Sequence, residues 1–313
     1  MHGFDALKTI GPEFYFYSRS DDSLSSSDTP QPFRSLEILR IEHMMSWEEW
    51  CCFIEGGNEA AVGFFPCLKE LVISNWPRLK QNLPPQLPSL EKLQIHGCQQ
   101  LVASLPRAPN MNILFLKECE EMSLIDVSSF PILRRIRVTE SLLKDDQDLF
   151  PMLSRLELIN CQNFEFLLSD SSVSSESGSE RQQYSTTSLS WLTIEGCPKF
   201  VSFSQELRGL SFKFNAPKLI RLELVQLENL KSLPEDMHTL AQLRQLIIKM
   251  CPKLVDESFP EEGLLPTKLS FLDIGGYPNL TTINYKTLLH LKSLKSLSIE
   301  DCPNLSFECL PEE

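Results

Sequence analysis

Histidine is scarce in this chain: only His2, His43, His96, His238 and His290 occur among 313 residues. None forms H-E-x-x-H, and none sits at zinc spacing from a cysteine, so the common metal-ligand patterns are missing. No G-x-x-x-x-G-K-[ST] loop and no G-x-G-x-x-G run is present, so no phosphate-cradling fingerprint is offered. Cys51-Cys52 is an adjacent pair, not Cys-x-x-Cys, and is weak evidence for redox chemistry. Positive charge is also short: 29 Lys and Arg against 42 Asp and Glu leave a net charge of −13. That balance weighs against nucleic acid, which calls for clustered Lys and Arg, and against an anionic membrane surface. No apolar run approaches the roughly 18 residues of a bilayer span. The opening MHGFDALKTI has no basic start followed by an apolar core, so it is not a secretory signal. These absences lead us to expect a protein that is not an enzyme, takes no cofactor and no metal, binds no nucleic acid and does not insert into a membrane.

What the sequence does hold is one leucine pattern, repeated eleven times. It reads Leu68-x-x-Leu71-x-Ile73, then Leu90-x-x-Leu93-x-Ile95, then Met111-x-x-Leu114-x-Leu116. Further copies start at Leu133, Leu153, Leu189, Leu219, Leu243, Leu269 and Leu294, and the earliest at Leu36. Six copies place a cysteine at the ninth position: Cys98, Cys119, Cys161, Cys197, Cys251 and Cys302. This is the L-x-x-L-x-L-x-x-N/C-x-L signature of leucine-rich repeats. It predicts an α/β leucine-rich-repeat solenoid, a horseshoe with one curved parallel β-sheet on its concave face and irregular or short helical convex returns. Equivalent positions stack in a solenoid, so the six cysteines are expected to be buried structural thiols, as suits a cytoplasmic protein.

The spacings between first positions are 32, 22, 21, 22, 20, 36, 30, 24, 26 and 25 residues. The period of 20 to 26 fits the class, and the longer gaps are insertions. Residues 169–188 are serine-rich and nearly free of apolar side chains, so a flexible loop is expected there. Residues 18–32 read the same way, and Ser177-x-x-Glu180 has the spacing of a kinase site but reads first as part of a solvated loop. We therefore divide the chain into 1–32, the remnant of a truncated preceding repeat plus a serine-rich loop, and 33–313, the repeat domain. Phe259-Pro-Glu-Glu262 leads straight into the next repeat, so Leu310-Pro-Glu-Glu313 is expected to be followed by a twelfth. Neither end shows a polar capping unit, and the chain alone is expected to be aggregation-prone.

Side chains alternate along a strand, so the third, fifth and seventh positions of each copy should face outward. In mid-array these are Ile113 and Phe115, then Arg135 and Arg137, then Arg155 and Glu157. Further along come Trp191, Thr193 and Glu195, then Arg221 and Glu223, then Ile247, Lys249, Phe271 and Asp273. Arg134, Arg135, Arg137 and Arg155 form a basic patch on an acidic protein. Phe115, Trp191 and Phe271 stand where a plain scaffold would carry polar residues. Aromatics and arginine are enriched at interface hot spots, so we expect this face to bind a protein partner. The competing reading is that flanking loops cover these residues and they merely pack. His96 also falls at an outward position and reads as a solvated surface histidine.

Pro32-Phe-Arg-Ser-Leu-Glu-Ile-Leu39, followed by Met45-Ser-Trp-Glu-Glu-Trp50, resembles a motif of plant intracellular nucleotide-binding leucine-rich-repeat immune receptors of the coiled-coil class. Leu7-Lys-Thr-Ile-Gly-Pro-Glu-Phe-Tyr15 is similar to the return segment that precedes it there, and the Cys-Pro turns at Cys197, Cys251 and Cys302 match too. The resemblance implies the sensor part of a three-part receptor. Its partners would be a pathogen effector, or a host protein that an effector has modified, and the nucleotide-binding domain of the parent receptor, which the array helps to autoinhibit. The coiled-coil and nucleotide-binding parts are absent from these residues. Trp47 and Trp50 are expected to pack on the convex side. The alternative is a stand-alone repeat scaffold such as a ubiquitin-ligase substrate receptor, which would carry a ligase-adaptor motif upstream. An extracellular repeat inhibitor of a pathogen enzyme would need a signal sequence and flanking cysteine caps.

Overall fold

A computed structural model describes residues 8–10, 33–50, 65–80, 83–101, 105–119, 130–140, 153–168, 188–204, 214, 216–234, 236–255, 258–261 and 263–306. The serine-rich stretches 18–32 and 169–187, Cys51-Cys52, Ser177-x-x-Glu180 and residues 307–313 lie outside them. So does all of the segment Leu7 to Tyr15 except 8–10.

Each copy of the leucine pattern forms a five-residue strand over its third to seventh positions. Its fourth and sixth residues are apolar and point into the core, while the residues between them point out; that period of two is the strand signature. The chain forms two compact units, 1–142 and 143–313. In the first, β1 (Ile38–Glu42), β2 (Glu70–Ser74), β3 (Lys92–His96), β4 (Ile113–Lys117) and β5 (Arg135–Thr139) lie parallel in chain order. In the second, β6 (Arg155–Ile159), β7 (Trp191–Glu195), β8 (Arg221–Val225), β9 (Gln245–Lys249), β10 (Phe271–Gly275) and β11 (Ser296–Glu300) do the same. Equivalent positions are paired throughout: Leu192 lies between Leu156 and Leu222, for example. Leu71, Ile73, Leu93, Ile95, Leu222, Leu224, Leu246 and Ile248 are all fully buried. This is the leucine-rich-repeat fold.

The backbone groups are accounted for by a repeating scheme. The N–H groups of positions two and three both donate to the position-two carbonyl of the preceding copy, as Glu91 and Lys92 do to Lys69 at 2.8 and 2.9 Å. Position eight is left-handed in all eleven copies, with φ between 51° and 76°. The residues there are His43, Asn75, Gly97, Glu118 and Glu140, then Asn160, Gly196, Gln226, Met250, Gly276 and Asp301. In nine of these copies the turn aims the N–H at the position-seven carbonyl of the next copy: Asn75 to His96 at 2.9 Å, Met250 to Gly275 at 2.8 Å. The left-handed residue therefore closes one strand and anchors it to the next.

The return side is mostly irregular, as expected. Short parallel pairs join Thr9–Ile10 to Glu49–Trp50, Phe166–Leu168 to Ser202–Ser204, and Ser258–Phe259 to Thr282–Ile283. Thr9–Ile10 thus behaves as a return segment. A six-residue helix, α1 (Tyr285–His290), is capped by Asn284, whose Oδ1 accepts from the Thr287 N–H at 3.3 Å. Trp47, Trp50 and Trp76 are fully buried and packed together, with Trp47 4.4 Å from Trp76 between ring centroids. Leu79 and Leu280 re-enter the core, but Leu254 and Leu305 are only half-buried.

The cysteine column corrects one expectation. Cys98, Cys119, Cys161, Cys197 and Cys251 are buried free thiols, whereas Cys302 is half-exposed. Among the described residues no strand pairs with the far edge of β11, so nothing stacks on Cys302. The inward Leu297 of β11 is 41% exposed for the same reason.

Candidate functional site

The residues expected to face outward occupy the third, fifth or seventh position of their copies, the first, third or fifth residue of a strand. The second unit draws six of them into one network. Trp191 on β7 pairs in register with Arg155 on β6 and Arg221 on β8, so its indole is flanked by two guanidinium groups. The Arg155 Cζ lies 3.6 Å from the ring centroid and the Arg221 Cζ 4.5 Å from it. Two cations on one ring repel each other, and each is offset by a carboxylate two residues along its own strand. Arg155 Nε donates to Glu157 at 2.5 Å, and Arg221 Nε donates to Glu223 at 2.8 Å. Arg221 Nη2 also bonds Glu223, and its Nη1 donates to Gln245 Oε1 at 2.8 Å.

Thr193 links the centre. Its Oγ1 accepts from the Trp191 Nε1–H at 2.9 Å and donates to Glu223 Oε2 at 2.6 Å. The network runs from Arg155 across four strands to Gln245. Its contacts explain a departure from plain alternation: Glu157 and Thr193 point outward, yet only 6% and 7% of their surface stays exposed. The large position-three side chains lie over them. Such stacked, charge-paired groups are held in place before any partner arrives, which lowers the ordering cost of binding.

Farther along, Lys249 Nζ on β9 bonds Asp273 Oδ2 on β10 at 2.9 Å and Glu300 Oε2 on β11 at 3.1 Å. The hydrogen bond to Asp273 is the main cause that raises the Lys249 pKa, and Lys249 in turn holds Glu300 below the ordinary carboxylate value. Gly275 lies under the Lys249–Glu300 bridge. A Cβ there would sit 3.2 Å from the Glu300 carbonyl oxygen, a tight contact, and 3.5 Å from Lys249 Cγ, an ordinary one.

In the first unit, Arg135 stacks on Phe115 with Cζ 5.1 Å from the ring centroid. Ile113 is half-buried on the same strand as Phe115, and Arg137 is exposed. Arg134, Arg135 and Arg137 belong to this unit and Arg155 to the other. His96 is half-buried at its outward position. The leucine spacing already places Thr193, Lys249 and Asp273 at outward positions, but Gln245 was missed as a site member. The R-x-E spacing shared by 155–157 and 221–223 was the available signal for the ion pairs.

Beneath the face, the thiols of Cys98, Cys119 and Cys251 donate to position-seven carbonyls of their own copies at 3.3 to 3.4 Å. Burial pushes Cys98 up to about 12 and Cys119 and Cys251 up to about 11. Cys197 moves the other way, because the Cys161 thiol hydrogen-bonds to it. Among the described residues no group of three His, Cys, Asp or Glu is placed to hold a metal, and no helix is long and apolar enough to cross a membrane.

No family model matches the chain. It is similar to the disease resistance RPP13-like protein 1 of Arabidopsis thaliana, 41% identical over 99 residues, which is 31% of this chain and 8% of that protein. A second Arabidopsis thaliana disease resistance protein is 34% identical over 95 residues, 30% of this chain and 6% of that protein. The chain thus matches less than a tenth of either relative. Among solved structures, an internalin of Listeria monocytogenes aligns at 14% identity and a TM-score of 0.38, covering 89% of this chain and 88% of that one. The plant peptide hormone receptor RGFR1 in complex with RGF2 aligns at 14% identity and a TM-score of 0.34, covering 86% of this chain and 63% of that one. The chain thus carries eleven leucine-rich repeats and, over about a third of its length, is similar to plant disease resistance proteins.

Proposed function

We propose that this chain is the non-catalytic protein-recognition part of a cytoplasmic plant immune receptor of the nucleotide-binding, coiled-coil class. Its outward strand face binds a pathogen effector or a host protein that an effector has modified. In the resting receptor the same array helps to hold the nucleotide-binding switch closed. A partner shifts that switch only as far as it binds the open state better than the closed one. The observation that carries the reading is the Arg155–Trp191–Arg221 stack. It combines the residue types most enriched at hot spots with a geometry already fixed in the free chain.

The test is proximity labelling in pathogen-challenged leaf cells that express the chain fused to a biotin ligase. A pathogen protein or a host target should be labelled, and the double variant Trp191→Ala, Arg221→Ala should lose that label. Labelling of a nucleotide-binding receptor segment should survive the double variant. Recovery of a ubiquitin-ligase adaptor, or partner labelling indifferent to the substitutions, would overturn the proposal.

A further inference from the structure

The outward face handles its carboxylates by one rule, and one copy departs from it. On β6 and β8 an acidic residue at position five meets an arginine at position three of the same strand, and that arginine also stacks on an aromatic ring. The copy on β10 keeps the acid, Asp273, but has the aromatic Phe271 at position three. No neighbour makes up the difference. The paired position-three residues are Gln245 and Ser296; Gln245 is turned toward Arg221, whose Nη1 donates to its Oε1, and neither residue bonds Asp273 Oδ1. The paired position-five residues are Ile247 and Ser298, and the Ser298 Oγ is spent on Glu300 Oε1 at 3.1 Å.

Asp273 is accordingly half-served. It is 9% exposed, its Oδ2 bonds Lys249, and its Oδ1 is buried with no hydrogen-bond partner. A buried carboxylate oxygen without a donor is costly, because a charged group gives up water and regains only part of what it lost. Beside it, Phe271 offers a half-buried ring on the same face. Carboxylate and ring together are what Arg155 and Arg221 each find inside the chain.

We infer that Phe271 and Asp273 form a receptor site for an arginine side chain of the protein partner, its guanidinium donating to Asp273 Oδ1 and stacking on the Phe271 ring. The inference rests on the outward face being the recognition surface. Oδ1 is closed to solvent in the free chain, so the arginine displaces the side chains above it. Lys249 can yield without being stranded, since Glu300 holds it as well at 3.1 Å. A lysine is a poorer fit: its compact ammonium reaches the oxygen but lacks the planar group that covers a ring while donating sideways.

The experiment uses the whole chain, labelled with ¹⁵N, and three blocked tripeptides: Ala-Arg-Ala, Ala-Lys-Ala and Ala-citrulline-Ala. Citrulline keeps the planar shape and removes the charge. The arginine peptide should shift the amides of Asp273, Gly275 and Ser298 with saturation, and roughly tenfold more tightly than the citrulline peptide. The lysine peptide should fall between the two. Asp273→Asn should weaken the arginine peptide roughly tenfold, and Phe271→Leu roughly threefold. The three peptides are compared on the unsubstituted chain, so the test holds even if a variant fails to fold. Equal shifts from arginine and citrulline peptides would overturn the inference. Shifts confined to other outward amides, such as those of Trp191 or Arg221, would overturn it too, while leaving the face as the recognition surface. Absence of any strand-amide shift would also overturn it, and the labelling experiment would then judge the face alone.

Discussion

Alkaline pH should unfold this chain through its buried thiols. Cys98 is pushed up to about 12 and Cys119 and Cys251 to about 11 from an ordinary 9.0, in each case first by burial. A raised folded pKa means that the folded state holds its proton more tightly than the unfolded chain does. The stabilisation is therefore complete below pH 9 and disappears as pH climbs through 11 to 12. Each tenfold gain in proton affinity on folding is worth about 1.4 kcal/mol, so Cys98 accounts for about 4 kcal/mol and each of the other two for about 3 kcal/mol. Between pH 9 and 11 all three act together, at about 4 kcal/mol per pH unit, against a typical total stability of about 5–15 kcal/mol. Tyr277 is raised by burial in the same sense, so the thiol share has to be isolated by difference. The assay is urea unfolding at pH 8, 9, 10 and 10.5 under reducing conditions, for the chain and for Cys98→Ala. Cys98→Ala should be less stable at pH 8 but lose about 1.4 kcal/mol less per pH unit above 9, so that the two curves converge. Parallel curves would show that Cys98 is not shielded from water, and the stacked-thiol account would fail.

Met250 sits at φ 53° in a turn that suits glycine, so Met250→Gly should raise the free energy of urea unfolding by up to about 1 kcal/mol. Gly97→Ala should lower it by at least about 1 kcal/mol, because its Cβ would also meet Asn75 Oδ1 at 2.9 Å. A double-mutant cycle on Trp191 and Arg221 should give a coupling of about 1 kcal/mol in stability; a coupling near zero would mean that the stack contributes no order. Thiol labelling of the native chain at pH 8, read by mass spectrometry, should modify Cys67 and Cys302 and spare Cys98, Cys119 and Cys251 until urea is added.

Much of this architecture was legible because leucine spacing is a direct record of strand direction. Once Leu71 and Ile73 point inward, Val72 can only point outward, and the same holds copy after copy. The cysteine column followed from the same stacking. Other features were hidden for physical reasons. Position eight adopts a single conformation while holding residues as different as Met250, Glu118 and Gly97, because the backbone bond to the next copy overrides side-chain preference. The burial of Glu157 and Thr193 arises from what the neighbouring strands lay over them, which alternation within one strand does not reveal. Half-exposed Cys302 depends on what stacks beyond it, and no residue in its own copy encodes that.

The Arg155–Trp191–Arg221 stack crosses the two longest gaps within the second unit's array, 36 and 30 residues from one first position to the next. Those extra residues do not disturb strand register: Trp191 meets Arg155 and Arg221 as squarely as Leu246 meets Leu222 across a gap of 24. Lengthening a return segment is thermodynamically mild, about 0.6 kcal/mol for each doubling of a loop. Return segments can therefore differ in length while the side-chain combination on the opposite face keeps its register. Two independent axes of variation, loop length behind and residue choice in front, are open to a lineage under pressure to recognise new proteins.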